Sequence, residues 1–278
     1  MLGIVIVSYR SDNRTVAFVR EELSKVKMPH QTVIVDNGAS PEEAEALAVR
    51  LPGVKVIASE NGGYARGNNV GACWLRDNVC PDWILFSNDD IRITSDRVVE
   101  TLAETIEANP GIGAVGPEVV GLDGLRQSPE PYMGLWKRFV WMYFSSPFLS
   151  KERKRQVFEL DYPSQAQEGF HYKLSGSFLM VEAEAFFRAG MFDENTFLYA
   201  EENILSERLG TIGKGCWFNP SVQVVHEHGS TVNEHLRNKE SALMQFRSMA
   251  YYYMHYKGYS HLSSVLAEWV FRAVLLVR

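Results

Sequence analysis

The sequence predicts an α/β fold: a mainly parallel central sheet flanked by helices, with two C-terminal helices after it. Three observations predict it. Short β-branched runs alternate with helix-like segments through the first third of the chain, the pattern that builds parallel sheets. Runs such as Trp83–Phe86 lack polar alternation, as strands buried on both faces do. Each of the first four strands then runs straight into polar or glycine-rich residues, which places chemistry along one sheet edge.

The elements follow in order. Leu2–Val7 is a first strand, and residues 15–26 offer a helical face through Val16, Phe18, Val19 and Leu23. Thr32–Val35 is the second strand, closed by Asp36-Asn37-Gly38. Ser40-Pro41-Glu42-Glu43 starts a helix, with serine at the N-cap, proline in the first position and acids in the first turn. Val54–Ala58 is the third strand. Asn61-Gly62-Gly63 breaks the chain before a helix that runs through Asn69–Asp77, and Trp83–Phe86 is the fourth strand. Further on, Ala114–Pro117, Val119–Val120, residues 174–181 and Val222–Val225 read as strands. Ala183–Ala189, Glu201–Arg208, 233–256 and 261–277 read as helices.

Composition narrows the function. A chain of 278 residues can bury a full core, and 46% hydrophobic with 22% charged residues is ordinary for a globular protein. A formal net charge of −6 argues against a nucleic-acid partner. Cys73, Cys80 and Cys216 have neither metal nor redox spacing and fit a reducing compartment. The start shows no basic leader, and no apolar stretch reaches bilayer length. The expectation is a cytoplasmic protein, with attachment at the inner face of the plasma membrane left open.

The chemistry-bearing residues sit at strand ends. Ser8-Tyr9 follows the first strand, Asp36 the second, Asn61 to Asn69 the third, and Asn88-Asp89-Asp90 the fourth. In a parallel sheet these ends converge. Asp36 there would accept hydrogen bonds from a base or ribose. The glycines between Asn61 and Asn69 would let backbone approach a ligand closely, and Arg66 would supply a cation suited to phosphate, although a plain loop and a solvated cation use the same residues. Asn88, Asp89 and Asp90 would hold a divalent cation through oxygen ligands, although a solvated turn uses the same residue types. Ser8-Tyr9-Arg10-Ser11-Asp12 after the first strand excludes a dinucleotide fingerprint, and no phosphate-loop lysine motif is present.

An ordered set of motifs now carries a resemblance: Ile-Val-Ser-Tyr at 6–9, Val-Asp-Asn at 35–37, Asn-Gly-Gly-Tyr-Ala-Arg-Gly-Asn-Asn at 61–69 and Ser-Asn-Asp-Asp at 87–90. Ser-Gly-Ser-Phe at 175–178, Phe-Leu-Tyr-Ala-Glu-Glu at 197–202 and Val-Val-His-Glu-His-Gly-Ser at 224–230 follow. The chain resembles glycosyltransferase family 2 enzymes of the GT-A fold, in their bacterial rhamnosyltransferase-like branch. The resemblance implies an inverting, metal-dependent transfer from a nucleoside diphosphate sugar (dTDP-rhamnose or a UDP-sugar) to a glycan or lipid-linked acceptor in cell-surface polysaccharide assembly. It implies donor contacts at Ser8, Tyr9, Asp36, Asn61, Gly63, Arg66, Asn69, Asn88, Asp89 and Gly176. It implies an Mg²⁺ or Mn²⁺ ion at Asp90 and His226, with His228 a less favoured substitute. Glu202 is the implied catalytic base and Glu201 its alternative, because the family usually has Glu-Asp at these two positions. A degenerate transferase fold that binds a glycan or partner, and a sugar nucleotidyltransferase, are the competing readings.

The same alignment of motifs divides the chain into a nucleotide-sugar half at 1–118, an acceptor-binding and catalytic half at 119–231, and a helical extension at 232–278. Residues 132–149 are densely aromatic, and Lys151, Arg153, Lys154 and Arg155 follow. This stretch or the final helix would meet a membrane surface, since tryptophan and tyrosine suit bilayer interfaces and basic residues suit anionic headgroups. Packing on the core or in a homo-oligomer is the alternative for both.

Overall fold

The computed structural model describes residues 1–144, 148–227 and 239–277. Its centre is a sheet of nine strands: β1 (Leu2–Ser8), β2 (His30–Asn37), β3 (Lys55–Ser59), β4 (Trp83–Ser87), β5 (Ile91–Ile93), β6 (Ile112–Gly121), β7 (Gly169–His171), β8 (Phe178–Glu182) and β9 (Gly215–His226). They lie in the order β3-β2-β1-β4-β8-β6-β9-β5, with β7 added against β9. The four strands read first from the sequence pair in parallel, as expected. Beyond β4 the sheet becomes mixed. β8 runs antiparallel to both β4 and β6, β9 is parallel to β6, and β5 closes the edge antiparallel to β9.

Helices cover both faces: α1 (Asp12–Ala17), α2 (Pro41–Arg50), α3 (Gly63–Asn78) and α4 (Val98–Ala108). After β6 the chain makes a π-helical turn at Lys137–Trp141 and short helices α5 (Met142–Phe144), α6 (Lys151–Val157) and α7 (Tyr162–Gln165). Then come α8 (Ala183–Arg188), α9 (Glu201–Thr211) and the two C-terminal helices, α10 (Lys239–Tyr256) and α11 (His261–Val277). The expected start of α2 is present in full. Ser40 Oγ accepts from the Glu43 N–H while the Glu43 carboxylate accepts from the Ser40 N–H.

Several expectations need revision. The helix anticipated over 15–26 is α1 followed by a π turn at Phe18–Glu22 and a 3₁₀ turn at Leu23–Lys25. Ser11, at its N-cap, makes no side-chain capping bond and donates instead to Asp89. The strand anticipated over 174–181 begins only at Phe178. Leu174–Ser177 is a loop held by hydrogen bonds among Ser128, Ser175 and Ser177. β6 and β9 are much longer than their apolar runs suggest, because each pairs with a neighbour across its whole length, through bulges. Residues 228–238, which include His228 and the expected start of the 233–256 helix, lie outside the described residues.

Two cores fill the faces of the sheet. α3 sits close against the sheet because Gly71 faces β1; a Cβ there would stand 2.5 Å from Val5. A third core joins Leu135, Phe139, Phe246 and Phe271 to Ala200 and Ile204, so the C-terminal helices pack behind the start of α9. Polar contacts reinforce this attachment. Glu207 accepts from Tyr172 (2.8 Å), Tyr252 (3.1 Å) and Lys257 (3.0 Å), and buried Asp193 accepts from Tyr256 at 2.6 Å and pairs with Arg208 at 3.2 Å.

Candidate active site

The ends of β1, β2 and β3 meet as anticipated. Ser8 and Asp36 are register partners, and Asp36 pairs in turn with Ala58. The Tyr9 ring lies over Gly38: a Cβ on Gly38 would be 3.3 Å from that ring and 3.5 Å from Asn61. Arg10 stacks its guanidinium 5.2 Å from the same ring. Asp36 is buried, and among the described residues no hydrogen bond reaches its carboxylate. Burial, with added repulsion from Asp12 and Glu43, pushes its pKa up to about 6. A buried acceptor of this kind gains most from a ligand that brings N–H or O–H donors.

Asn61 orders the glycine turn that starts α3. Its Oδ1 accepts from Asn37 at 3.2 Å and from the Gly63 N–H at 3.3 Å. Gly63 has φ +89°, and a Cβ there would stand 2.1 Å from the Phe197 carbonyl oxygen, so only glycine fits. The next N–H, of Tyr64, donates to that carbonyl at 2.9 Å. The start of α3 is thereby fixed to the chain that leads into α9. Arg66 is exposed on the first turn of α3.

Tyr64 is the residue the sequence reading passed over, although it stands inside a quoted motif. Its hydroxyl lies 2.9 Å from the Gly176 carbonyl and 3.2 Å from Asn88 Oδ1, and donates to these acceptors. The Gly176 N–H donates to Glu202 Oε1 at 3.0 Å. One chain of hydrogen bonds thus runs from Asn88 through Tyr64 and Gly176 to Glu202. The phenol is held far above its ordinary pKa, first by burial and then by the negative charges of Glu202, Glu201 and Asp90. Both expected chemical centres therefore act on one side chain.

Glu201 and Glu202 open α9 after two left-handed residues that carry side chains, Tyr199 (φ 70°) and Ala200 (φ 73°). Such a turn costs on the order of 1 kcal/mol per residue and persists only where packing enforces it. Here Ala200 is buried in the third core. Glu201 is 3% exposed, and its Oε1 has no hydrogen-bond partner among the described residues. Burial, then the neighbouring Glu202 charge, pushes its pKa up to about 8. Glu202 is half-buried and takes the backbone donor.

Asp90 and His226 are also brought together. Ile91 and His226 are register partners, and the Glu227 N–H donates to the Asp90 carbonyl at 2.9 Å. His226 Nε2 lies 3.2 Å from Asp90 Oδ1, with both side chains largely buried. His226 Nδ1 is hydrogen-bonded to Gln127 Oε1 at 2.9 Å, which orients the ring so that Nε2 faces Asp90. The carboxylate oxygen suits Mn²⁺ or Mg²⁺, and the imidazole nitrogen beside it suits Mn²⁺, the transition metal of the two. No cluster of three or more histidine, cysteine, aspartate or glutamate side chains with metal-holding geometry occurs among the described residues.

Two residues expected at the donor are committed elsewhere. Asp89 is buried, and its carboxylate accepts from Ser11 (2.7 Å), Thr15 (2.7 Å) and Arg14 (2.8 Å). Asn69 donates to the Phe192 carbonyl at 3.0 Å and to Glu194 at 2.9 Å, and accepts the Phe192 N–H at 3.1 Å. These two side chains hold the site's loops together. Ser8 lies among the same hydroxyls, 3.0 Å from Ser11 and from Thr15.

Comparison with known proteins agrees with this architecture. The chain is 26% identical over 240 residues, 81% of its length and 76% of the relative's, to N-acetylglucosaminyl-diphospho-decaprenol L-rhamnosyltransferase of Mycobacterium tuberculosis (strain CDC 1551 / Oshkosh). Among solved structures it superposes on the mannosyltransferase PcManGT of Pyrobaculum calidifontis, in complex with GDP-Man and Mn²⁺, with a TM-score of 0.56. That match has 14% identity and covers 99% of this chain and 74% of that one. It also superposes on GalNAc-T7 with UDP, GalNAc and Mn²⁺, with a TM-score of 0.54 and 16% identity, covering 82% of this chain but only 43% of that one. These neighbours show the GT-A fold. The sequence profile described as Glycosyl transferase family 2 matches residues 4–164, more than half of the chain. The protein therefore belongs to glycosyl transferase family 2 and is a glycosyltransferase.

Proposed function

We propose that this glycosyltransferase moves a sugar, with inversion, from a nucleoside diphosphate sugar to a lipid-linked or glycan acceptor in cell-surface polysaccharide assembly. The observation that carries the reading is the hydrogen-bonded chain Asn88–Tyr64–Gly176–Glu202, which fixes one carboxylate at a set distance from the acidic end of β4. The relative named as an N-acetylglucosaminyl-diphospho-decaprenol L-rhamnosyltransferase supports a rhamnosyl donor and a lipid-diphosphate acceptor, and the UDP and GDP-Man complexes of the fold neighbours support a nucleoside diphosphate sugar in general.

In this reading Asp36, Tyr9 and Asn61 receive the nucleoside, and Arg66 meets the diphosphate. Asp90 and His226 would hold a divalent cation, which when bound neutralises charge on the departing nucleoside diphosphate. Glu202 takes the proton of the acceptor hydroxyl as that oxygen attacks the anomeric carbon. The new carbon–oxygen bond forms opposite the breaking bond to phosphate, so the configuration inverts. Glu201, neutral below its raised pKa, keeps a second negative charge away from the base.

Thermal stabilisation by UDP-, dTDP- and GDP-sugars, with Mn²⁺ or Mg²⁺ and with EDTA, tests the reading. A ligand that binds only the folded state raises its melting temperature by mass action. The expected result is a metal-dependent shift with one nucleotide class that Asp90→Ala abolishes. A shift unchanged by EDTA and by Asp90→Ala would remove the metal site from the mechanism.

A further inference from the structure

We propose that the outer stripe of α11 and the side chains of Trp141, Phe144 and Phe148 beside it form one docking face for an anionic membrane surface. The inference rests on the reading above in one respect: a lipid-linked acceptor would be met on that surface.

α11 is apolar on two opposite sides. Ala267, Phe271 and Leu275 are buried in the third core. Leu262, Leu266, Trp269, Ala273 and Leu276 are exposed instead, the four large ones by 68%, 50%, 72% and 79%. Their four-three spacing puts them within an arc of about 80° on the far side of the helix, at 3.6 residues per turn. A helix whose only task is to cover the core would be polar there.

The neighbouring element adds to this face. Trp136 Nε1 donates to Ser263 at 3.0 Å, and the Phe139 and Phe271 rings meet edge-on at 5.3 Å, so 136–144 packs directly on α11. From this side Trp141, Phe144 and Phe148 stand 59%, 56% and 78% exposed, with the two phenylalanine rings 6.1 Å apart. Isolated exposed apolar residues are normal, but two adjoining elements that each expose large aromatics mark an interaction site. The sequence offered these two segments as alternatives; the fold makes them neighbours.

Charge selects the occupant. α6 follows at once and carries Arg153 and Lys154 with the acid Glu152, while Arg155 is paired with Asp161, in a chain of net charge −6. Tryptophan and phenylalanine next in the chain to a basic segment match an acyl boundary under anionic headgroups, and an amphipathic helix of this kind lies in the interfacial plane. No helix among the described residues is long and apolar enough to cross a membrane. A second copy of the chain fits less well, because a two-fold contact sets each patch against its own copy, basic segment against basic segment.

The test is co-sedimentation of the full chain with vesicles of phosphatidylcholine alone and with one-third phosphatidylglycerol. The expected result is partition onto the anionic vesicles that weakens in high salt. The pair Leu266→Glu and Trp269→Glu should lower it at least ten-fold while the melting temperature and the nucleotide-sugar shift stay unchanged. The pair Arg153→Glu and Lys154→Glu should lower it about twenty-fold or more on anionic vesicles only, at about five-fold per basic residue. No partition onto either vesicle overturns the proposal. So does a dimer in analytical ultracentrifugation that Leu266→Glu and Trp269→Glu dissociate, because a second copy would then cover the face. Vesicle binding without any sugar-nucleotide shift would instead defeat the enzymatic reading and leave this one standing.

Discussion

The N–H of Gly176 donates to Glu202 Oε1 at 3.0 Å, and a Cβ on residue 176 would stand 2.4 Å from that same oxygen. The loop between Leu174 and β8 is thus both the donor that orients the carboxylate and the wall that limits where it can go. Gly176→Ala should displace Glu202 while costing only about 1 kcal/mol of stability, because a flexible carboxylate end can swing aside. Transfer should fall about a hundred-fold, the order of effect expected when a reacting group moves by about 1 Å. Steady-state turnover with a matched melting curve checks this; wild-type turnover in the variant would mean that Glu202 needs no fixed position.

Asp89 tests whether the acidic turn is held from behind. Its carboxylate joins the turn after β4 to Ser11, Arg14 and Thr15 on the loop and helix after β1. Asp89→Ala removes a buried, charge-assisted cluster and should cost about 2 kcal/mol; Arg14 is half-exposed and can rehydrate, which limits the loss. Sugar-nucleotide affinity should also fall, although Asp89 faces the loop after β1, because Asn88 and Asp90 flank it. Equal melting temperature and equal affinity in the variant would show the latch to be dispensable.

These residues show what the sequence could and could not disclose. Strand ends at Ser8, Asp36, Asn61 and Asn88 were readable because β-branched runs and turn residues are local signals, and parallel pairing brings such ends together. The roles of Asp89 and Asn69 were not readable. Their partners lie 74 to 78 and 123 to 125 positions away, and nothing local distinguishes an acid that grips a loop from one that faces a ligand. Gln127, which orients His226 from 99 positions away, carried no signal at all. Tyr64 did carry one, since it sits beside the glycines that fix the start of α3. The helix Val98–Ala108 was passed over although Val98, Val99, Leu102, Ala103 and Ile106 have helical spacing.

Asp36 makes stability and binding oppose each other. Its folded pKa, about 6, lies above the ordinary 3.8, so the folded state favours the protonated form. The stability it contributes is therefore complete below about pH 3.8 and is lost as pH rises through about 6. Asp36→Asn should raise the melting temperature at pH 7.5, make no difference near pH 4, and abolish sugar-nucleotide binding. Thermal melts across pH with and without donor measure all three. A variant less stable than wild type at pH 7.5 would contradict the burial cost assigned to the charge.

Glu201 and Glu202 are separated by their surroundings more than by their positions. Glu201 is the more buried, with a pKa near 8, so it is chiefly neutral at pH 7 and is a poor base there. Glu202 accepts from a backbone N–H that fixes its carboxylate, and it has the greater exposure to reach an acceptor. Glu202→Gln should therefore abolish transfer with sugar-nucleotide binding retained, whereas Glu201→Gln, which mimics the neutral acid, should keep most of it. The pH profile adds a second discriminator. Protonated Glu201 contributes stability that is present below about pH 4.5 and lost as pH rises through about 8, where its ionisation places a second charge beside the base. Wild-type activity should decline on that alkaline limb, and Glu201→Gln should flatten it. Loss of transfer in Glu201→Gln with activity kept in Glu202→Gln would exchange the two roles, and the hydrogen bond from Gly176 would then mark a structural carboxylate.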